Sequence, residues 1–291
     1  MRERRAPRMV RPQVAPAQVA VIVPAYEEAA TVGAVVAVAR AHPAVGEVVV
    51  VDDGSRDATA ARAAAAGARV VRLSHNRGKA QAMDRGVEET TAPWLLFIDA
   101  DIVGLRAETL DLLIDAVTRE RYEMYIAMVA RKRFAGWLGW VLPVLGGTRI
   151  LRRELWQALP ARYKRRFRIE IALNHFAERA RLRAGHRVVP GLGHVMKERK
   201  RGLWPGLRQR VLMIADIVSA VVMLSFVDGW TAGRRVLQAQ MAAPQPGAAP
   251  GPARMQPARD IATGSGPLRF PDATQLASRL RQVPPSRRSR R

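Results

Sequence analysis

The sequence predicts an α/β domain built on a mainly parallel sheet with flanking helices. Three features point there. Short β-branched runs alternate with Ala-rich stretches of helical length, turn residues separate them, and three of the first four runs end in acidic clusters. Apolar runs without polar alternation suit strands buried on both faces. Strand and helix alternating at this spacing indicate a doubly wound sheet.

The elements follow in order. Residues 19–23 form a β-branched run ended by Pro24, and residues 31–41 read as a helix stopped by His42-Pro43. Residues 48–51 are the second strand, cut off by Asp52-Asp53-Gly54-Ser55. Residues 57–66 read as a helix closed by Gly67 in a left-handed conformation. Residues 69–73 are the third strand, 81–90 a helix, and 94–98 the fourth strand, ending in Asp99-Ala100-Asp101. Ligands of such sheets sit beyond the carboxyl ends of the strands. Glu27-Glu28, Asp52-Asp53 and Asp99/Asp101 are therefore expected to face one crevice. Beyond Asp101 the pattern weakens: a helix at 108–118, a strand within 122–131 and a helix around 153–159 are expected.

Composition bounds the rest. The 291 residues are 48% hydrophobic, enough for a sizeable core, and contain no Cys, which excludes disulfides, thiolate metal sites and a Cys nucleophile. Their absence fits a reducing compartment, and the Arg-rich start has no apolar stretch before residue 19, unlike a secretory signal. The expected location is cytoplasmic, with a peripheral position at the inner membrane face as an extension of it.

The net charge is +23, and its distribution matters. Residues 1–18 carry five Arg against one Glu, and residues 231–291 eleven Arg against two Asp. Both ends read as disordered, because Arg/Pro/Ala tracts bury too little surface to order themselves. Residues 161–210 carry fifteen Arg and Lys against three Glu, a basic face suited to a polyanionic ligand or an anionic membrane surface. A nucleic-acid-binding protein would interleave such charge with aromatics or show a reading module. Aromatics are only 5%, and no specific nucleic-acid partner is expected.

Asp99-Ala100-Asp101 carries the chemistry. Two carboxylates at the end of an apolar strand are hard oxygen ligands for Mg²⁺ or Mn²⁺, ions that complete their shells with substrate phosphates. Such an ion neutralises the charge on a departing diphosphate. A nucleotidyltransferase shares that logic but would show a Gly-rich basic loop after the first strand, where this chain has Pro24-Ala25-Tyr26-Glu27.

Four motifs come in sequence: Val23-Pro24-Ala25-Tyr26-Glu27-Glu28, Val51-Asp52-Asp53-Gly54-Ser55, Asn76-Arg77-Gly78-Lys79 and Phe97-Ile98-Asp99-Ala100-Asp101. Together, over about residues 18–104, they resemble the nucleotide-sugar half of family 2 glycosyltransferases with the GT-A fold, especially the dolichol-phosphate mannose synthase type. The resemblance implies that Pro24, Tyr26 and Glu27 border the nucleoside of a nucleotide-diphosphate sugar and that Asp53 contacts its base. By the same likeness Lys79 lies near the phosphates, and Asp99 and Asp101 hold ribose and metal, with Asp101 catalytic. The residues themselves also allow Glu27 and Asp53 to be loop carboxylates capping backbone amides.

The second half is similar to the retaining glucosyl-3-phosphoglycerate synthases through the segments 146–153, 167–173 and 191–194. That similarity implies that Gly147 and Arg149 meet an anionic acceptor, that Glu170 orients sugar or acceptor in a catalytic role, and that His194 is a third metal ligand; Lys197 occupies the alternative position. Two departures bear on mechanism. Many inverting members follow the Glu with a general-base Asp, but Ile171 stands there. The processive Gln-x-x-Arg-Trp signature is missing too, which argues against a polysaccharide synthase.

The expected organisation is a disordered basic start (1–17), a nucleotide-sugar half (18–104), an acceptor half of the same domain (105–202), an apolar helix (203–230) and a disordered tail (231–291). The apolar stretches 134–145 and 211–227 suggest a second kind of acceptor, one that is lipid-linked, reached by peripheral membrane contact. The stretch 211–227 contains Asp216, Ser219 and Ser225 and is shorter than the about 20 apolar residues a bilayer span needs.

Overall fold

The computed structural model describes residues 18–129, 146–164, 168–195 and 266–267. The stretches 134–145 and 211–227, the start 1–17, the segment 203–230, Lys197 and nearly all of the tail lie outside the described residues.

The first half alternates as expected: β1 (Val19–Ala25), α1 (Val32–Ala41), β2 (Val45–Asp52), α2 (Thr59–Ala65), β3 (Arg69–Arg72), α3 (Lys79–Glu88) and β4 (Trp94–Phe97). Gly67 closes α2 at φ 92°, its N–H donating to the Ala64 carbonyl at 2.9 Å. Next come β5 (Ile102–Val103), α4 (Ala107–Thr118), β6 (Met124–Val129), β7 (Arg149–Arg152), α5 (Arg153–Gln157), a single 3-10 turn (Ala161–Tyr163), α6 (Arg168–Arg179), β8 (Ala184–Val189), β9 (Gly193–His194) and β10 (Gly266–Pro267).

Eight strands form the main sheet in the order β10-β8-β6-β7-β4-β1-β2-β3. β1 pairs in parallel with both β2 and β4, and β2 with β3, so the tips of β1, β2 and β4 meet at one edge. β7 enters antiparallel between β4 and β6, with Phe97 opposite Arg149 and Ile126 also opposite Arg149. Its amino end, and the Gly146-Gly147-Thr148 turn before it, therefore reach the edge where β4 delivers Asp99. No apolar run marked this strand, because both its ends are Arg.

The sheet is buried on both faces, as the unbroken apolar runs require. On one face Val19, Val21 and Val23 pack with Val32, Val35 and Val36 of α1 and Leu110, Leu113 and Ile114 of α4. On the other, Ile22, Leu95 and Phe97 pack with Met83 of α3, Trp156 of α5 and Ile169, Leu173 and Phe176 of α6. The Phe97 and Trp156 rings lie 4.7 Å apart between centroids. The tail read as disordered nevertheless contributes Gly266 and Pro267, which pair antiparallel with Gly185 and His186 at the margin of the sheet.

Candidate active site

Each tip is fixed by bonds to its neighbours. At the end of β1, Glu27 sits at φ 54°, and its N–H donates to Ser55 Oγ at 2.9 Å; the Glu28 N–H donates to Thr59 Oγ1 at 2.8 Å. Pro24 and Tyr26 are partly buried there, and the Glu27 side chain is exposed. At the end of β2 the Asp53 carboxylate accepts the N–H groups of Arg77 and Gly78, both at 2.7 Å. Those amides open α3, and a carboxylate near a helix start satisfies donors that have no partner inside the helix. Asp53 is nearly fully buried. Of its two roles open in the sequence, the loop-capping one is the contact present here.

Capping by Asp53 places Lys79 as the first residue of α3, two positions earlier than the apolar pattern suggested. Its ammonium lies 2.7 Å from Asp99 Oδ1 and 2.9 Å from Glu170 Oε1. Burial alone would pull Lys79 down; the charges and hydrogen bonds of Asp99 and Glu170 outweigh it and hold the ammonium well above its ordinary value. Burial would push Glu170 up, but Lys79 and then Arg149 reverse that, keeping it below the ordinary Glu range.

Two residues beyond Asp99, Asp101 leads into β5, and β9 pairs against β5 with Ile102 opposite His194. The Val195 N–H closes the ribbon on the Asp101 carbonyl at 3.1 Å. His194 Nδ1 thus comes 3.1 Å from Asp101 Oδ1, a hydrogen bond that raises the imidazole's proton affinity against the opposing effect of burial. One ligand atom each from Asp99, Asp101 and His194 lies within 4.8 Å of the others. Two carboxylate oxygens and an imidazole nitrogen fit a hard divalent cation that keeps open positions for phosphate oxygens. The ribbon depends on Gly104: it sits at φ 74°, and a Cβ there would overlap the Gly191 carbonyl oxygen.

Gly147 lies against this cluster, and a Cβ on it would run into the Asp99 carboxylate. Arg149 does not meet the expectation of an acceptor-facing group. It is fully buried, with Nε donating to the Gly146 carbonyl at 3.0 Å and Nη1 to Asn174 Oδ1 at 3.1 Å. The physical reason is its strand position: pairing with Phe97 and Ile126 on either side turns the side chain inward, where it ties the 146–148 turn to α6. Asn174 escaped the sequence reading, although its spacing of four from Glu170 puts both on one face of α6.

Asp99, Asp101, Lys79, Glu170, Gly147 and His194 lie together at one edge of the sheet. The sequence profile of glycosyl transferase family 2 matches residues 20–182, more than half of the chain. The chain belongs to glycosyl transferase family 2. Within the family it is similar to the succinoglycan biosynthesis protein ExoU of Rhizobium meliloti (strain 1021), 42% identical over 92 residues, which are 30% of this chain and 27% of that protein. It is also similar to glucosyl-3-phosphoglycerate synthase of Mycolicibacterium smegmatis (strain ATCC 700084 / mc(2)155), 36% identical over 96 residues, 29% of this chain and 31% of that one. The matched stretches thus span less than a third of either relative's length.

The fold superposes on glucosyl-3-phosphoglycerate synthase from Mycobacterium tuberculosis in complex with Mn²⁺, UDP and glucosyl-3-phosphoglycerate, with a TM-score of 0.58 and 26% identity, over 70% of this chain and 79% of that one. The same enzyme with Mn²⁺ and UDP-glucose gives a TM-score of 0.58 and 26% identity over 70% and 78%. It has also been solved with Mn²⁺, UDP-glucose and phosphoglyceric acid together. The fold is GT-A.

Proposed function

We propose that this glycosyltransferase moves a sugar from a UDP-glucose-type donor to a phosphate-bearing acceptor, with Mn²⁺ or Mg²⁺ held by Asp99, Asp101 and His194. One observation carries the reading: three ligand atoms of suitable chemistry lie within 4.8 Å of one another at the strand edge where the fold brings Lys79 and Glu170. The ligands of the structural neighbours support the choice of donor and acceptor class. A GDP-mannose donor is the alternative that the four amino-terminal motifs leave open. The lipid-linked acceptor drew on apolar stretches outside the described residues; among the described residues no helix is long and apolar enough to cross a membrane.

In the transfer, the bond from the anomeric carbon to the β-phosphate oxygen breaks, and one forms to an acceptor oxygen. UDP leaves with the bonding pair, and any acceptor proton must find a base. The divalent ion, when bound, neutralises charge on the departing diphosphate. Pro24, Tyr26 and Glu27 border the nucleoside, while Asp53 shapes the site indirectly by fixing the Arg77-Gly78 turn. Lys79 supplies a point charge for the phosphates from the start of α3, just after the Arg77 and Gly78 amides that Asp53 holds.

Glu170 is kept ionised by Lys79, so it is a weaker proton acceptor than an ordinary Glu, and Ile171 follows where a base would stand. That suits Glu170 to orienting hydroxyls, and it favours the retaining, glucosyl-3-phosphoglycerate synthase-like course over proton abstraction by a neighbouring Asp.

A thermal-shift panel of UDP-glucose and GDP-mannose, each with and without Mn²⁺, tests the reading, since a ligand bound only by the folded state stabilises it. A shift with UDP-glucose that requires Mn²⁺ is expected. Stabilisation by GDP-mannose alone would overturn the donor, and stabilisation indifferent to Mn²⁺ the metal site.

A further inference from the structure

The proposed cation site already contains a cation of the chain's own. Lys79 Nζ bridges Asp99 Oδ1 and Glu170 Oε1 at 2.7 and 2.9 Å, so a proposed metal ligand spends one oxygen on an ammonium. We propose that Lys79 acts as a built-in counter-cation that makes divalent-metal binding conditional on the donor's diphosphate. The proposal rests on the reading of Asp99, Asp101 and His194 as the metal site.

Charge bookkeeping motivates it. Three carboxylates converge here (Asp99, Asp101 and Glu170), opposed by Lys79 and by the buried Arg149 guanidinium. The formal balance is a single negative charge, weak attraction for a dication that must shed water to bind. A diphosphate adds at least two negative charges beside the same groups. It offers Lys79 a replacement for Asp99 and offers the ion further oxygens.

The geometry allows the exchange. The Lys79 side chain is 30% exposed, on a flexible four-carbon stem at the first turn of α3, and among the described residues no hydrogen bond anchors its ammonium to backbone. Releasing Asp99 therefore requires only rotamer changes. By linkage, whatever factor the nucleotide contributes to metal affinity, the metal contributes to nucleotide affinity. The consequence is an enzyme that does not hold a bare ion tightly, assembling ion and donor together.

Mn²⁺ binding to the full-length chain, followed by the electron paramagnetic resonance signal of free Mn²⁺ with and without UDP, tests this directly. Wild type should bind Mn²⁺ weakly alone, and UDP should tighten it by a factor within the roughly 5–150-fold range of ordinary site coupling. Lys79→Met should bind Mn²⁺ alone at least several-fold more tightly than wild type, and UDP should then add less. Lys79→Arg, which keeps the charge, should behave as wild type. Mn²⁺ affinity in Lys79→Met that is unchanged or weaker without UDP overturns the proposal; if that variant does not fold by circular dichroism, Lys79→Gln carries the same expectation. Wild type that takes up no Mn²⁺ even with UDP would instead sink the metal site itself, and the role of Lys79 with it.

Discussion

Among single residues, Asp101 and His194 are the informative pair, because each is held by the other and by the short ribbon behind them. Asp101→Ala should lose transfer activity and UDP-dependent Mn²⁺ binding while melting close to wild type, since the side chain is not part of the core. His194→Ala should weaken Mn²⁺ by more than about tenfold, given that even outer-shell partners of a metal are worth roughly 10–100-fold. Isothermal titration with Mn²⁺ in saturating UDP checks both, and unchanged affinity in His194→Ala would remove His194 from the ligand set. Glu170 and Lys79 make a pH prediction. A depressed carboxylate contributes stability above its unfolded value, about 4.3, and loses it as pH falls through the folded value. A raised ammonium contributes below its unfolded value, about 10.4, and loses it only as pH rises through the folded one. The pair is thus fully favourable across the neutral range. The melting-temperature advantage of wild type over Glu170→Gln should shrink as pH falls from 6 towards 3.

At the level of elements, the β5–β9 ribbon determines whether the third ligand is in place at all. Gly104→Ala forces a strained φ and an overlap with the Gly191 carbonyl, so the ribbon must shift and His194 with it. Mn²⁺ affinity in the presence of UDP should fall with little change in the far-ultraviolet dichroism, because the main sheet is untouched. Equal Mn²⁺ affinity in the variant would show that His194 is not held by this ribbon. β7 has the corresponding part on the other side. Its antiparallel insertion brings Gly147 against Asp99, and Arg149 pins that turn to the α6 face that carries Glu170 and Asn174. A buried Arg bonded to carbonyls and an amide is a rigid strut, since leaving any of its donors unpaired would be costly.

For the whole molecule, metal, donor and fold should behave as one linked equilibrium. UDP with Mn²⁺ at a hundredfold excess over the dissociation constant should add about 2.7 kcal/mol, raising the melting temperature by roughly 5–10 °C, and EDTA should remove most of that gain. A rise that survives EDTA would mean nucleotide binding without the ion. Much of this molecule was legible in its residues: the apolar runs gave β1 to β4 because a strand buried on both faces has no polar alternation to hide it, and the motifs at their ends marked Asp53, Lys79, Asp99 and Asp101. The second half was harder to read for a physical reason, since Arg149 and Arg152 disguise β7, and the two-residue strands β5 and β9 have no periodicity of their own. Local sequence alone determined which residue types stand at the strand tips. Only the tertiary structure decided how they are used: Asp53 is spent on the Arg77 and Gly78 amides, Arg149 is buried rather than offered to an acceptor, and Lys79 lies on a carboxylate proposed to hold the metal. Those outcomes depend on partners up to 91 positions away, from Lys79 with Asp99, 20 positions on, to Lys79 with Glu170, and distances of that kind are set by sheet order and not by neighbouring residues.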